Sequence, residues 1–182
     1  METQTPPDGS GKTAAGPAQA GTDEICQRCG RAGAGCGAQL PALYAYWNAR
    51  RRGRRFPARA DIDPLDLAPW LANIFLVEVD PRGTPRFRYR LSGTAVDEIH
   101  GQTLTGKSPA DIRTPEVARI VEEQYEAVLA RPQPRCDRLT LLGDDGRVWS
   151  YERLILPLSS DDATPDMFLC GIYRVPPSGR PG

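Results

Sequence analysis

The sequence predicts an α+β fold in which an antiparallel sheet encloses a run of helices gathered in the middle of the chain. Three observations carry this. "NIFLVEVD" and "RFRYRLSG" flank the short turn "PRGT", and "RCDRLTLL" leads through "GDDG" into "RVWSYERLILPL", so two hairpins are expected. Between them, residues 115–130 hold the one long helical period. After them, "MFLCGIYRV" offers a fifth strand.

Composition bounds the reading. At 182 residues the chain has room for one domain and a tail, and its 23 basic and 23 acidic residues cancel. No whole-chain field therefore draws it to nucleic acid or to a membrane. It has no run of about 18 apolar residues, which excludes a transmembrane helix of ordinary type. "METQTPPDGSGKTAAGPAQAGTDE" lacks the basic and apolar regions of a secretory signal, so a cytoplasmic location is expected. Five cysteines, an odd number, argue for reduced thiols over a disulfide framework.

Residues 1–38 read as a low-complexity tail. The first 24 have almost nothing to bury and are expected to be disordered, and the rest, Gly/Ala-rich, carry Cys26, Cys29 and Cys36. The domain starts near residue 39, where Leu40, Leu43, Tyr44 and Trp47 fall on one helical stripe. Gly53 and Pro57 end that helix. The prolines of "PARADIDPLDLAPWL" restrict the next stretch to short turns. In the first hairpin, Phe87, Tyr89 and Leu91 alternate with Arg86, Arg88 and Arg90, giving one apolar face and one row of arginines. Thr94 with Asp97 reads as a capping-box variant, Gly101 as a helix C-cap, and Ser108–Pro109–Ala110–Asp111 as a second capped turn. Thr114–Pro115–Glu116 then opens the long helix, which buries Val117, Ile120, Val121, Val128 and Leu129. The domain closes at about 175, and 176–182 is a short C-terminal tail.

In this order, the segments "YWNARRRGRRFPARADIDP", "LANIFLVEVD", "FRYRLSGTAVDEIHGQTLTGKS" and "RLILPLSSDD" resemble a small bacterial subfamily of PAS domains, its members mostly single domains with an N-terminal helix and loop. The resemblance spans roughly 40–175. It implies a five-stranded antiparallel sheet with helices over one face, and a ligand or cofactor space between the two. It implies a sensory or protein-interaction role and not catalysis. The Asn-Cys-Arg-Phe-Leu-Gln motif of the flavin-binding class is absent. No output module follows the domain before residue 182, so signalling through a separate partner is expected.

Each chemically suggestive residue has two readings. "GTAVDEIHGQTLTG" fits no phosphate-loop pattern, and capping and turns account for its glycines. His100, the only histidine, is a candidate ligand or base, yet a helix end also suits it, where protonation would complement the macrodipole. Cys26, Cys29 and Cys36 make three of the four ligands a tetrahedral zinc needs; otherwise they are incidental or redox-active thiols. "RRRGRR" at 50–55 reads as a solvated helix end with Asp61 and Asp63 as partners, or as an anion-gripping patch.

If a ligand cavity exists, His100, Tyr125, Cys136, Trp149, Tyr151 and Cys170 are the residues expected to line it. No cofactor is named by these residues, and no metal site is assigned. The stripe Leu40, Leu43, Tyr44 and Trp47 is wider than a lone helix can hide, so a second copy is expected against it as a homodimer. The expected function is a cytoplasmic, non-enzymatic regulatory protein that binds a small molecule or a protein partner and shifts its N-terminal helix 40–52 or its outer sheet face in response. The alternative is a zinc- or Arg-mediated nucleic-acid-binding protein using residues 25–55. An enzyme centred on His100 ranks behind both, because no substrate suggests itself.

Overall fold

The computed structural model describes residues 39–142 and 148–175. At its centre is a five-stranded antiparallel sheet in the spatial order β2–β1–β5–β4–β3. The strands are β1 (Ile74–Val79), β2 (Phe87–Ser92), β3 (Arg135–Leu142), β4 (Val148–Leu158) and β5 (Met167–Val175). The last strand thus joins the two hairpins by returning between β1 and β4. Helix α1 (Gln39–Arg50) precedes the sheet, and two short 3-10 helices at Arg59–Asp61 and Ala68–Asn73 lead into it. The crossover from β2 to β3 carries α2 (Thr94–His100), a 3-10 helix at Pro109–Asp111, and α3 (Pro115–Ala130). The "GDDG" turn and the Cys26/Cys29/Cys36 tail lie outside the described residues.

Strand alternation sends side chains to two separate cores, one on each face of the sheet. The inner core joins Phe75, Val77, Phe87, Tyr89, Ile155 and Phe168 to Val96, Val121, Tyr125 and Val128 of the crossover helices. On α3 the buried line is Ala118, Val121, Tyr125 and Val128, so the helix turns Tyr125 into the core, while Val117, Ile120 and Leu129 flank it. The outer core joins Ile74, Leu76, Leu154, Leu156 and Leu169 to Leu40, Leu43, Tyr44 and Trp47 of α1 and to Phe56, Ile62 and Leu67.

This outer core corrects one expectation. The α1 stripe is buried by the chain's own sheet and by the loop after the helix, so covering it requires no second copy. Gly171 of β5 permits the approach, since a Cβ there would come within 2.7 Å of Leu43 Cδ2 and 3.0 Å of Leu40 Cδ2. Trp47 fixes the helix to β4 by donating from Nε1 to the Pro157 carbonyl at 2.8 Å.

Two local readings are also corrected. A bulge in the β1–β2 ladder between Leu76 and Val77 pairs Val77 with Tyr89 but Leu76 with Leu91. Leu91 is thereby turned away from Phe87 and Tyr89 and packs against the outer core. At α2 the N-cap is Gly93, and Thr94 is the first helical residue. Asp97 does not cap; it accepts from Ser92 Oγ at 2.5 Å and from the Leu104 N–H at 3.1 Å, tying the post-helix loop to β2. Gly93 is needed because a Cβ there would meet the Leu71 and Ala72 carbonyl oxygens at 2.1 and 2.5 Å. Gly101 does cap α2 in the left-handed region, at φ 61°, and Ser108 with Asp111 forms the expected capping box.

Candidate functional site

The inner face of β4 presents Tyr151, Arg153 and Ile155 in alternation, and the middle one is charged. Arg153 is 2% exposed. Its guanidinium carbon lies 5.5 Å from the centroid of the Tyr125 ring, a cation–π contact. Its Nε and Nη2, however, have no hydrogen-bond partner, and among the described residues no carboxylate pairs with it. Buried charges are ordinarily paired, so an arginine left in this state is the most unusual feature of the core. The other buried ion, Glu152, faces the outer core and accepts from Arg138 Nη2 at 2.8 Å.

The groups around Arg153 register its charge. Burial pushes the Tyr89 hydroxyl up to about 12 and Tyr125 well above the ordinary phenol value, against the pull of Arg153. Their hydroxyl oxygens are 3.5 Å apart, the outer limit of a hydrogen bond. The Cys170 thiol is raised to about 12 by burial, which makes it inert. His100 is lowered to about 4, first by burial and then by Arg153, while Asp97 works the other way. At neutral pH the imidazole is therefore uncharged, and the expected stabilisation of a protonated ring at the helix end does not arise. Phe87 and Phe168 pack tilted against Tyr125, with ring centroids at 5.2 and 5.6 Å, and complete an aromatic wall.

Beside this cluster a pocket of about 420 Å³ opens between the C-terminal turns of α3 and the start of β3. Ala127, Val128, Arg131, Arg135 and Asp137 are in its wall. Asp137 stands directly across the ladder from Arg153, but its carboxylate accepts from Arg135 Nε at 2.6 Å instead. Val128 belongs both to the pocket wall and to the inner core. The pocket wall thus includes the strand partner of Arg153, while Arg153 itself is buried in the inner core.

Of the residues the sequence assigned to a cavity, Tyr125, Tyr151 and Cys170 are in the inner core, Trp149 packs at its margin, and His100 is within reach of Arg153's charge. Cys136 departs from the set. It pairs with Leu154 and packs against the outer core, contributing only to the wall of the edge pocket. Sequence reasoning missed Arg153 and did not place Tyr89 in the site. Both alternations of "VWSYERLILPL" carry apolar residues, so the arginine could not be assigned to a face.

Four of the five arginines at 50–55 are engaged within the chain. Arg50 pairs with Asp66 and Arg54 with Asp61. Arg51 and Arg55 lie over the rings of Trp47 and Phe56. Asp63, an expected partner, instead accepts the Leu65 N–H. These contacts fit the cluster as a helix end held by the chain's own acids and rings. Among the described residues no three His, Cys, Asp or Glu side chains are grouped to hold a metal ion, and no helix is long and apolar enough to cross a membrane.

The sequence profile of the PAS domain family matches residues 38–173. No curated protein matches the sequence. Among solved structures, the PAS domain of BvgS from Bordetella pertussis superposes with a TM-score of 0.50 at 18% identity, covering 63% of this chain and 84% of that one. A light-oxygen-voltage domain studied with a flavin analogue gives 0.47 at 16% identity, covering 62% and 83%. The LOV protein of Rhodobacter sphaeroides gives 0.45 at 14% identity, covering 60% and 62%. At 18% identity the likeness to the BvgS domain speaks for the fold alone.

Proposed function

This chain belongs to the PAS domain family, and on that premise we propose that it is a cytoplasmic, non-enzymatic sensory module that takes a small ligand on the inner face of its sheet and signals through a separate protein. The observation that carries the reading is Arg153, a buried cation with two N–H groups unanswered. Replacing a buried ion by an apolar side chain of similar size is often neutral or stabilising, so a buried charge in an apolar core argues for a use other than folding. Its neighbours Tyr89, Tyr125, His100 and Cys170 supply the mixture of apolar wall and few polar tips that small-molecule sites use.

The signal has a short path. Strand β4 carries Arg153 on its inner face and, four residues on, the Pro157 carbonyl that accepts from Trp47 of α1. Anything that reseats Arg153 or Tyr125 acts on the strand to which α1 is fixed. A ligand shifts α1 by no more than its difference in affinity between the docked and displaced arrangements.

Native mass spectrometry of the full chain tests the reading, with a screen of small molecules wherever the protein purifies empty. An organic adduct, or a compound bound in the screen that changes protection of residues 39–50 from amide exchange, supports it. A chain that binds no small molecule of any class is a protein-interaction module, and the reading fails.

A further inference from the structure

We infer that the ligand taken on the inner face of the sheet is a small monocarboxylate with an apolar or aromatic body, its carboxylate held on the Nε–Nη2 edge of Arg153. The inference rests on the proposed ligand-binding role and names the chemical class of the ligand.

Three observations converge. The unpartnered atoms of Arg153 are Nε and Nη2, which share one edge of the planar guanidinium. Two parallel N–H groups on one edge match the two oxygens of a carboxylate and form the bidentate pair for which arginine is favoured. Tyr125 meets the cation through its ring face and so leaves that edge without an acceptor. The surrounding side chains, Phe87, Phe168, Tyr125 and Ile155, are apolar or aromatic and suit the body of such a molecule.

The surface next to Arg153's strand partner is electropositive. The neighbouring pocket carries Arg131 and Arg135 against the single carboxylate of Asp137, and that carboxylate is already bound by Arg135. Asp137 lies across the ladder from Arg153, placed to compete for it. With Asp137 committed to Arg135, the guanidinium is open to an anion from outside. One buried cation balances one negative charge, which favours a monocarboxylate over a phosphate monoester, whose second charge would remain uncompensated in the core.

His100 provides the readout, being the only histidine of the chain and a neighbour whose titration Arg153 depresses. The probes are benzoate, its uncharged analogue benzyl alcohol, and inorganic phosphate, each titrated into the full-length protein while the His100 ring resonances are followed by NMR. Benzoate is expected to saturate the shift and to raise the His100 pKa, because a bound anion offsets the guanidinium charge. Arg153→Met is expected to weaken benzoate by about tenfold to a hundredfold. Arg153→Lys, which keeps the charge and loses the fork, is expected to fall between.

Equal binding of benzyl alcohol and benzoate overturns the carboxylate inference and leaves the ligand-binding reading standing. Phosphate binding in preference to benzoate replaces the carboxylate by a tetrahedral anion. Benzoate binding that survives in a folded Arg153→Met, or the absence of any response to benzoate, overturns the inference. The reading itself falls only if the wider screen of small molecules is also empty.

Discussion

Leu43 of α1 rests directly on Gly171 of β5, and the absence of a side chain at 171 is what lets helix and sheet close. A methyl group there would stand 2.7 Å from Leu43 Cδ2 and 3.0 Å from Leu40 Cδ2. Gly171→Ala is expected to cost about 1–3 kcal/mol, the usual cost of overpacking, and to loosen α1 selectively. Denaturant unfolding measures the first effect and amide exchange over residues 39–50 the second.

Gly93→Ala is expected to be worse. Its Cβ would collide with the backbone carbonyls of Leu71 and Ala72 and not with the movable end of a side chain. A loss of roughly 3 kcal/mol or more, larger than that of Gly171→Ala in the same assay, is the expected outcome.

Trp47→Phe keeps an aromatic ring in the outer core but removes the donor to the Pro157 carbonyl. The orphaned carbonyl is expected to cost about 1–3 kcal/mol. No loss in Trp47→Phe together with a loss in Trp47→Leu, which removes the ring as well, would show that ring packing, not the hydrogen bond, dominates this contact.

The pH dependence has a sign. His100 titrates at about 4 in the folded protein against an ordinary value of 6.5, with Arg153 and Asp97 the charged groups facing it. Between these values the unfolded chain holds a proton that the folded chain does not. Stability therefore falls as pH drops through that window, by up to about 1.4 kcal/mol per unit. His100→Asn is expected to flatten the curve from 6.5 to 4 while leaving the carboxylate-driven loss at lower pH, where Asp61, Asp97 and Asp161, each lowered in the fold, take up protons. Urea midpoints across this range distinguish the two phases.

Local chemistry made most elements legible before folding was considered. The five strands and α3 lie where alternation and the helical period put them, and Gly101 and the Ser108–Asp111 box cap what their positions imply. What failed depended on contacts distant in sequence. The α1 stripe looked too wide to hide because the outer face of β4 and β5, which covers it, is more than a hundred residues away. The turn of Leu91 to the outer face follows from a bulge that no residue pattern announces. Arg153 sits in a strand apolar on both alternations, so only the register with Ile172 and Asp137 places it on the inner face.

The most direct test of the account is the equilibrium stability of Arg153→Met in the unliganded full-length protein. Met keeps an adaptable contact with the Tyr125 ring and removes the unpaired buried charge. If Arg153 is kept for a ligand and not for the fold, the variant is as stable as the parent or up to about 4 kcal/mol more stable. A variant several kcal/mol less stable would make Arg153 a structural residue and contradict the account.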